Sequence, residues 1–294
     1  MIKDTIWNKY EDKFIIGKGT YGPVYKAFDS NSKNYVAIKE IDKIRFNIVI
    51  NSKFKENMKN INSKYKFCKN IIETKEKYYI IMDLYPCNLE DYLNMINAPL
   101  SIDEIKEILI QLNEILKIIE KENIIFKDLK PSNILITYSK IDEIKINLCK
   151  IITNELINKT KSNMNNIKEI CLTTAPEILK DESFSKKSDL WSLGIIIYYM
   201  LFKEYPYNGK TENQIINQIN SNKILKNIGN KELDDLINRM LKINENERIT
   251  WDNYFNHSFF KKSPLDEKGI NIIKTKIEKK DKKLEEIIDT REVK

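Results

Sequence analysis

The sequence is poor in the residues that build metal centres and disulfide frameworks. Its 294 residues include one histidine, His257, and four cysteines that lie far apart without a Cys-x-x-Cys pair. Zinc sites need clustered ligands and disulfide frameworks need paired thiols, so neither is expected here. The cysteines should be free thiols.

Long apolar segments are also missing. The longest, Leu193 to Phe202, is much shorter than the roughly 20 residues that a membrane-spanning helix needs. Met1 to Tyr10 lacks the apolar stretch of a signal peptide. We therefore expect a cytoplasmic or nuclear protein with no membrane partner.

A strong excess of one charge sign is absent as well. The net charge is +7, from 50 Lys and Arg against 43 Asp and Glu, and the two signs are interleaved along the chain. Nucleic acid is therefore not expected as a partner. The composition, 41% apolar and 32% charged, is that of a globular protein with one large or two small domains.

Glycine is scarce, and its distribution is informative. Three of the seven glycines are Gly17, Gly19 and Gly22, between two predicted strands, Phe14 to Ile16 and Val24 to Phe28. Because a strand follows this Gly-x-Gly-x-x-Gly segment, the pattern disfavours a dinucleotide-binding turn, which leads into a helix. It favours a hairpin whose backbone amides cover the phosphates of ATP. The alternative is a bulged hairpin in which the glycines serve geometry alone.

The segment from Phe126 to Leu135 carries a catalytic pattern, Phe-Lys-Asp-Leu-Lys-Pro-Ser-Asn-Ile-Leu. Asp128 can orient an attacking hydroxyl and accept its proton. Lys130 can neutralise charge on a moving phosphate, and Asn133 offers a carbonyl oxygen to Mg²⁺. The pattern predicts a phosphoryl-transfer site, and an ordinary polar turn is the alternative.

These segments resemble those of eukaryotic protein kinases. The catalytic loop of that family reads His-Arg-Asp-Leu-Lys-Pro-x-Asn, with Phe126 here in place of His and Lys127 in place of Arg. Lys130 followed by Pro131 is the serine/threonine form. Further matches follow in the family's order: Val36-Ala37-Ile38-Lys39 of a third predicted strand, Ala175-Pro-Glu177, Ser188-Asp-Leu-Trp-Ser-Leu-Gly194, Arg248 and His257-Ser-Phe-Phe260.

The resemblance implies an α+β, two-lobed protein-kinase fold, with a small β-rich N-lobe and a larger helical C-lobe. Residues 1–82 would form the N-lobe, 83–88 the hinge and 89–260 the C-lobe. Residues 261–294 would be a charged tail with a helical apolar pattern, which either stays a solvated helix or docks on the domain or on a partner.

The resemblance also implies roles in binding ATP. Lys39 would hold the α- and β-phosphates beneath the glycine-rich hairpin and act in catalysis with Asp128 and Lys130. The glutamate that pairs with this lysine would lie in Ile44 to Ser63, where Glu56 is the only acidic residue; a solvated charge is the alternative for Glu56. The adenine would be enclosed by Val24, Ala37, Met82, Leu135 and the backbone of Asp83 to Tyr85.

The remaining matches have structural roles in the family. Glu177 and Arg248 would form a buried ion pair. Asp189 would hold the backbone of the catalytic loop, and His257 would be a packing residue and not a ligand.

Two departures from the family pattern concern the metal and the substrate. The family's metal-binding aspartate of Asp-Phe-Gly follows a strand like the predicted Glu143 to Ile146, where this chain reads Asn147-Leu-Cys-Lys150. A one-residue gap decides whether Asn147 or Leu148 takes its place. Asn133 and Asn147 are the predicted ligands of Mg²⁺, with Mn²⁺ as the alternative ion. The family's Gly-Thr-x-x-Tyr becomes Glu169-Ile-Cys-Leu-Thr173, which alters the platform for a substrate peptide.

Two functions compete. The first is an ATP-dependent protein serine/threonine kinase, whose partners are ATP and a protein substrate; Lys39, Asp128 and Asn133 favour it. The second is a pseudokinase, a nucleotide-binding scaffold or allosteric partner, which Asn147 and the altered platform favour. A small-molecule phosphotransferase would share the Asp-to-Asn spacing but not the Ala-Pro-Glu and Asp-x-Trp motifs.

Overall fold

The computed structural model describes residues 5–19, 22–43, 68–138, 144–148, 172–180, 183–221 and 226–261. The predictions for Glu56, for most of the altered substrate platform and for the tail beyond Lys261 lie outside these ranges.

An antiparallel sheet forms the N-terminal part of the described chain. Its strands are β1 (Tyr10–Gly19), β2 (Gly22–Asp29), β3 (Asn34–Asp42), β4 (Asn70–Glu73) and β5 (Lys77–Asp83). They are ordered β1-β2-β3-β5-β4. The sequence predicts strands at Phe14 to Ile16, Val24 to Phe28, Tyr35 to Ile38 and Tyr78 to Met82, and these lie inside β1, β2, β3 and β5, respectively. The sequence did not predict β4, because so short a strand shows no clear alternation.

The central strand β3 is buried on both faces of this sheet. Successive residues of a strand face opposite sides. Val36 and Ile38 pack in a small cluster with the 3₁₀ helix Thr5–Asn8, which contributes Ile6. Ala37 and Ile41 lie on the other face, in the large apolar core shared with the helical part. That second face is therefore the one turned toward the rest of the molecule.

The C-terminal part is mostly helical. Its α-helices are α1 (Leu89–Ile96), α2 (Ile102–Lys121), α3 (Pro176–Leu179), α4 (Lys186–Phe202), α5 (Glu212–Asn220), α6 (Lys231–Met240) and α7 (Trp251–Phe255). A small sheet lies beside them, with strands in the order β6 (Cys87–Asn88), β7 (Ile134–Tyr138) and β8 (Ile144–Leu148). Short 3₁₀ helices span Pro131–Asn133, Glu245–Glu247 and Ser258–Phe260. No helix in the described ranges is long and apolar enough to cross a membrane.

Residues 102–121 carry apolar side chains at helical spacing and so predict a helix with these bounds, which are those of the long helix α2. Ser101 caps its N-terminus: the Ser101 Oγ accepts the N–H of Glu104, and the Glu104 carboxylate accepts the N–H of Ser101 at 2.8 Å. This capping box satisfies amides that the first helical turn leaves without partners. The buried side recurs at helical spacing, as predicted: Ile105, Leu109, Leu112, Leu116 and Ile119.

Helix α4 forms the centre of the helical part. Every side chain from Ser188 to Met200 is buried, so the helix is enclosed all around its axis. At Gly194 an added Cβ would lie 2.9 Å from the Leu241 side chain, so this glycine allows close packing against the end of α6. The polar side chains in the first turns of α4, such as Asp189 and Ser192, therefore lie on a helix that is packed on all sides.

The only histidine in the sequence is a packing residue, as predicted. His257 is buried, and its Nδ1 accepts the N–H of Phe259 at 3.2 Å. A nitrogen that accepts a hydrogen bond carries no proton, so Nε2 carries it and donates to the Asp235 carboxylate at 3.0 Å. The described residues contain no group of three or more His, Cys, Asp or Glu side chains that could hold a metal ion.

Candidate active site

The catalytic segment follows α2, and its backbone is anchored by Asp189 in the first turn of α4. The Asp189 carboxylate accepts the N–H of Phe126 at 2.6 Å and the N–H of Lys127 at 3.0 Å. Lys127 has a φ of 65°, a left-handed conformation that is uncommon for residues other than glycine. The two hydrogen bonds hold the backbone in this turn, and the predicted role of Asp189 is confirmed.

The environment of Asp189 also shifts its proton affinity. Burial raises the pKa of the carboxyl to about 7, while the N–H groups of Phe126 and Lys127 and the charge of Lys127 act to lower it. An ionised carboxylate accepts stronger hydrogen bonds than a neutral acid. The anchor of the loop is therefore strongest when Asp189 is ionised.

Asp128, Lys130 and Asn133 lie together on the anchored loop. The Lys130 Nζ is 3.7 Å from the Asp128 Oδ1, and the side chains of Lys130 and Asp128 are 25% and 24% exposed. Both charged groups are thus partly exposed at the surface. The Asn133 side chain is buried, and its Nδ2 donates to the backbone carbonyl of Asp128 at 2.6 Å. Because the amide nitrogen is used in this bond, the amide oxygen is the atom that a cation could reach.

The second predicted metal ligand, Asn147, lies inside a strand. The sequence predicted that the strand ends at Ile146, but β8 continues to Leu148, because the ladder of β7 pairs Asn147 with Leu135 and Leu148 with Ile134. The structure describes the backbone of Asn147 and not its side chain. Its role as a ligand stays a prediction.

The N-terminal sheet brings the predicted nucleotide-binding residues together. Lys39 is opposite Val24 of β2, and Ala37 is opposite Met82 of β5. Ala37 and Lys39 are two residues apart and so share one face of β3. Val24, Ala37 and Met82 belong to the apolar core on that face, and Lys39 is buried there. A buried lysine beside an apolar surface is the arrangement that the sequence predicts for holding phosphate and base.

The glycines of the hairpin have different structural requirements. Gly19 pairs with Gly22, and Gly17 pairs with Val24. Gly22 has a φ of 148°, and a Cβ there would clash with the backbone carbonyl of Glu40. Geometry alone therefore requires Gly22. A Cβ at Gly17 would meet no atom within 4 Å, so protein packing does not require glycine at that position.

The predicted hinge residues lie at the end of the first sheet. Asp83 ends β5, and its side chain forms an ion pair with the Lys69 Nζ at 2.7 Å, on the exposed surface. Only its backbone is then suited to contact a base, as the sequence predicts. Tyr85 and Leu135 are partly buried. Their contacts with adenine stay predictions.

The predicted ion pair of Glu177 and Arg248 is present and buried. The two Nη atoms of Arg248 donate to the two carboxylate oxygens of Glu177 at 2.7 and 2.9 Å, and the side chains are 0% and 5% exposed, respectively. Burial alone would raise the pKa of Glu177, but the hydrogen bonds and charge of Arg248 outweigh it, so that the pKa is lowered. The Ser188 hydroxyl also donates to Glu177 at 2.9 Å. This pair joins α3 to the segment before α7.

Two residues near the catalytic loop were missed by the sequence-based predictions. The Thr173 hydroxyl donates to the backbone carbonyl of Leu129 at 2.8 Å, and the Ser192 hydroxyl donates to the carbonyl of Thr173 at 2.7 Å. Both side chains are buried. In the sequence, Thr173 stands where the family has tyrosine and Ser192 lies inside the matched segment 188–194, but neither observation showed the bonding partner.

Comparison with known proteins decides the family. The family model described as protein kinase domain matches residues 10–260. The chain belongs to the protein kinase family. This match covers both parts of the fold, from β1 to the last 3₁₀ helix, and confirms the resemblance that the sequence motifs indicated.

Two curated relatives are calcium-dependent protein kinases. Calcium-dependent protein kinase 5 of Plasmodium berghei is 33% identical over 275 residues, which cover 88% of this chain and 47% of that protein. Its Plasmodium falciparum counterpart is 30% identical over 296 residues, covering 95% of this chain and 50% of that protein. The chain thus spans about half the length of these relatives.

A solved protein kinase structure confirms the predicted fold. The crystal structure of Rad53 1-466 in complex with AMP-PNP matches with a TM-score of 0.68 and 25% sequence identity. The match covers 87% of this chain and 66% of that one. The α+β architecture, with a β-rich N-terminal part and a helical C-terminal part, is therefore the two-lobed protein-kinase fold.

Proposed function

We propose that this chain is an ATP-dependent protein serine/threonine kinase, which transfers the γ-phosphate of ATP to a protein hydroxyl. The observation that carries the proposal is the placement of Asp128, Lys130 and Asn133 on one loop whose backbone is fixed by Asp189. A base, a cation and an amide oxygen within a few residues are the groups that phosphoryl transfer needs.

The residues of the first sheet fit a nucleotide. Lys39 supplies a buried positive charge beside the apolar surface of Val24, Ala37 and Met82. The open space at Gly17 leaves room for phosphate groups to approach the backbone, which a side chain would hinder. The similar Rad53 structure was solved in complex with AMP-PNP, which supports ATP as the ligand here.

Bound ATP and its metal ion would supply the phosphoryl group and neutralise much of its charge. The protein's own part is positioning and proton transfer. The Asp128 carboxylate would accept the proton of the attacking hydroxyl. The Lys130 ammonium, 3.7 Å from Asp128, keeps a positive charge beside the reacting groups, and the Asn133 side chain fixes the backbone of Asp128.

Asn133 and Asn147 would hold the metal ion. Hard divalent ions prefer anionic oxygen ligands, and two amide oxygens bind them more weakly than an amide and a carboxylate. We therefore propose slow transfer with Mg²⁺ and faster transfer with Mn²⁺, which binds neutral ligands more strongly. The hinge at 83–88 and a cytoplasmic or nuclear location stay predictions from the sequence.

A phosphate-transfer assay on generic protein substrates tests the proposal. The wild type is compared with Asp128→Asn, Asn147→Asp and Asp103→Asn in Mg²⁺ and in Mn²⁺. Asp103 is an exposed aspartate in the first turn of α2, so Asp103→Asn controls for the same chemical change away from the loop. Asp128→Asn should abolish transfer, Asn147→Asp should increase it with Mg²⁺, and Asp103→Asn should leave it unchanged.

Two results would contradict the proposal. No transfer by the wild type in either metal would identify a pseudokinase. Transfer that Asp128→Asn leaves intact would show that another site, or a contaminating enzyme, is responsible.

A further inference from the structure

Two segments that are distant in the sequence are bound to the same turns of α4. Asp189 holds the catalytic loop through the N–H groups of Phe126 and Lys127. Ser192, three residues further along α4, donates its hydroxyl to the carbonyl of Thr173, in the segment that leads into α3. Residues three apart lie on one side of a helix. The loop and this segment are therefore neighbours on one rigid support.

Thr173 joins the two segments directly. Its hydroxyl donates to the Leu129 carbonyl at 2.8 Å, and the side chain is 2% exposed. Leu129 is the residue between Asp128 and Lys130, and its carbonyl belongs to the peptide bond that joins it to Lys130. The Asp189 bonds fix the start of the loop, and the Thr173 bond fixes its middle.

We propose that Thr173 is a positioning residue for phosphoryl transfer, which holds Asp128 and Lys130 in place relative to α4. This inference rests on the proposed kinase function. Asp189 of α4 binds the start of the catalytic loop, Thr173 binds its middle, and Ser192 of α4 binds Thr173. The middle of the loop therefore cannot move away from α4 unless a buried hydrogen bond breaks. Such a bond acts on the orientation of the reacting groups and not on the affinity for nucleotide, because Thr173 bonds to the loop at Leu129 and not to a residue predicted to bind the nucleotide.

Steady-state kinetics of three variants test the role. Thr173→Val removes the hydroxyl at nearly constant shape, and Thr173→Ser keeps the hydroxyl. We expect Thr173→Val to lower kcat about tenfold, with the KM for ATP changed less than about twofold, because misplaced reacting groups slow the chemical step. Thr173→Ser should restore kcat to within about twofold of the wild type. Ser192→Ala, which removes the support of Thr173 from α4, should lower kcat in the same direction and serves if Thr173→Val does not fold.

A matched control separates this effect from general destabilisation. Thr74 lies in the β4–β5 turn, where its hydroxyl donates to the Lys77 carbonyl at 3.1 Å and accepts the Lys77 N–H at 3.0 Å, so Thr74→Val removes hydrogen bonds between a threonine hydroxyl and the backbone far from the loop. It should leave kcat unchanged. Amide hydrogen exchange of the peptide covering residues 126–133 is the second readout, and exchange should be faster in Thr173→Val than in the wild type or in Thr74→Val.

The outcomes distinguish this inference from the kinase proposal. A wild type without transfer would refute the proposed function, and the exchange comparison would then decide the positioning role of Thr173 by itself. Unchanged exchange in Thr173→Val would overturn that role. So would an unchanged kcat, or an equal loss of kcat in Thr173→Ser and Thr173→Val, since packing of the side chain and not its hydroxyl would then be responsible.

Discussion

Removing Arg248 from its buried pair should destabilise the protein more at neutral pH than removing Glu177. The two partners keep different contacts when the other is lost. Without Glu177, the guanidinium of Arg248 still donates to the carbonyls of Lys187 at 2.8 Å and Lys242 at 3.1 Å. Without Arg248, the Glu177 carboxylate keeps the hydroxyl of Ser188 and loses its counter-charge. A buried Glu177 carboxylate without Arg248 is therefore less well stabilised than a buried Arg248 guanidinium without Glu177.

The expected loss in the free energy of unfolding follows from the protonation of Glu177 when Arg248 is removed. Breaking a buried pair by removing one partner costs about 3 to 5 kcal/mol. In Arg248→Met, burial raises the pKa of Glu177, so the side chain becomes protonated in the folded state. Protonating a carboxyl with an unfolded pKa of about 4.3 costs roughly 4 kcal/mol at pH 7 and about 1 kcal/mol at pH 5. We expect a loss of about 5 kcal/mol for Arg248→Met and about 3 kcal/mol for Glu177→Leu at pH 7.

The pH dependence gives the two variants opposite signatures. In the wild type the pKa of Glu177 is lowered, so the stability that it contributes is present above pH values near its unfolded pKa and is lost as the pH falls. In Arg248→Met the folded pKa is raised, so stability is lost as the pH rises from about 4 toward 7. The deficit of Arg248→Met should therefore shrink by about 3 kcal/mol between pH 7 and pH 5. Glu177→Leu should show no such recovery, because arginine stays charged throughout this range.

Urea unfolding of the wild type, both single variants and the double variant at pH 5 and pH 7 measures these differences. The double variant should be more stable than the sum of the single losses implies, because no buried charge is left without its partner. Additive losses, or a deficit of Arg248→Met that is equal at both pH values, would refute the reasoning.

Three further predictions concern the sheet, the loop anchor and the nucleotide. Gly22→Ala should destabilise the protein by about 1 to 3 kcal/mol, because the backbone is strained for alanine and the Cβ meets Glu40, while Gly17→Ala should change stability by less than about 0.5 kcal/mol in the same urea titration. Because burial raises the pKa of Asp189 to about 7, the folded state keeps a proton that the unfolded chain releases near pH 4, so its contribution to stability falls by about 3 kcal/mol between pH 4 and pH 7. Asp189→Asn should lack this slope, and parallel pH profiles of variant and wild type would contradict the argument. ATP at a hundredfold excess over its Kd should stabilise the fold by about 2.7 kcal/mol, and a thermal-shift titration with millimolar ATP that shows no change would rule out nucleotide binding.

The parts of the fold that were predicted correctly have strong local or family patterns. Helix α2 shows an apolar repeat over its whole length, so its extent could be predicted from the sequence. The Glu177–Arg248 pair and the Asp189 anchor came from motifs whose partners are far apart in the chain, and spacing alone would not have joined them.

The parts that were missed depend on tertiary contacts without a local signature. β1 begins at Tyr10 and passes through Asp12, whose φ is 47°, with a shift of register between Glu11 and Phe14. Such a bulge breaks the alternation from which a strand is predicted. The bond from Thr173 to Leu129 joins residues 44 apart, and any buried threonine could make one like it. Only the fold shows which carbonyl it meets.

The Asp189 carboxylate binds the catalytic loop through the backbone N–H groups of Phe126 and Lys127 and not through the side chains of these two residues, and this determines which substitutions the loop tolerates. Any residue with an N–H group can supply these two bonds, so Phe126 and Lys127 can replace the histidine and arginine of the family pattern without loss of the attachment. A library randomised at these two positions and sorted for folded protein should be depleted of proline at both, since proline has no N–H. At Lys127 it should also be depleted of valine, isoleucine and threonine, which tolerate a positive φ poorly. At Phe126 the survivors should be apolar, because that side chain is buried. Substitutions at Lys127 are thus limited by its backbone conformation, and substitutions at Phe126 are limited by the burial of its side chain.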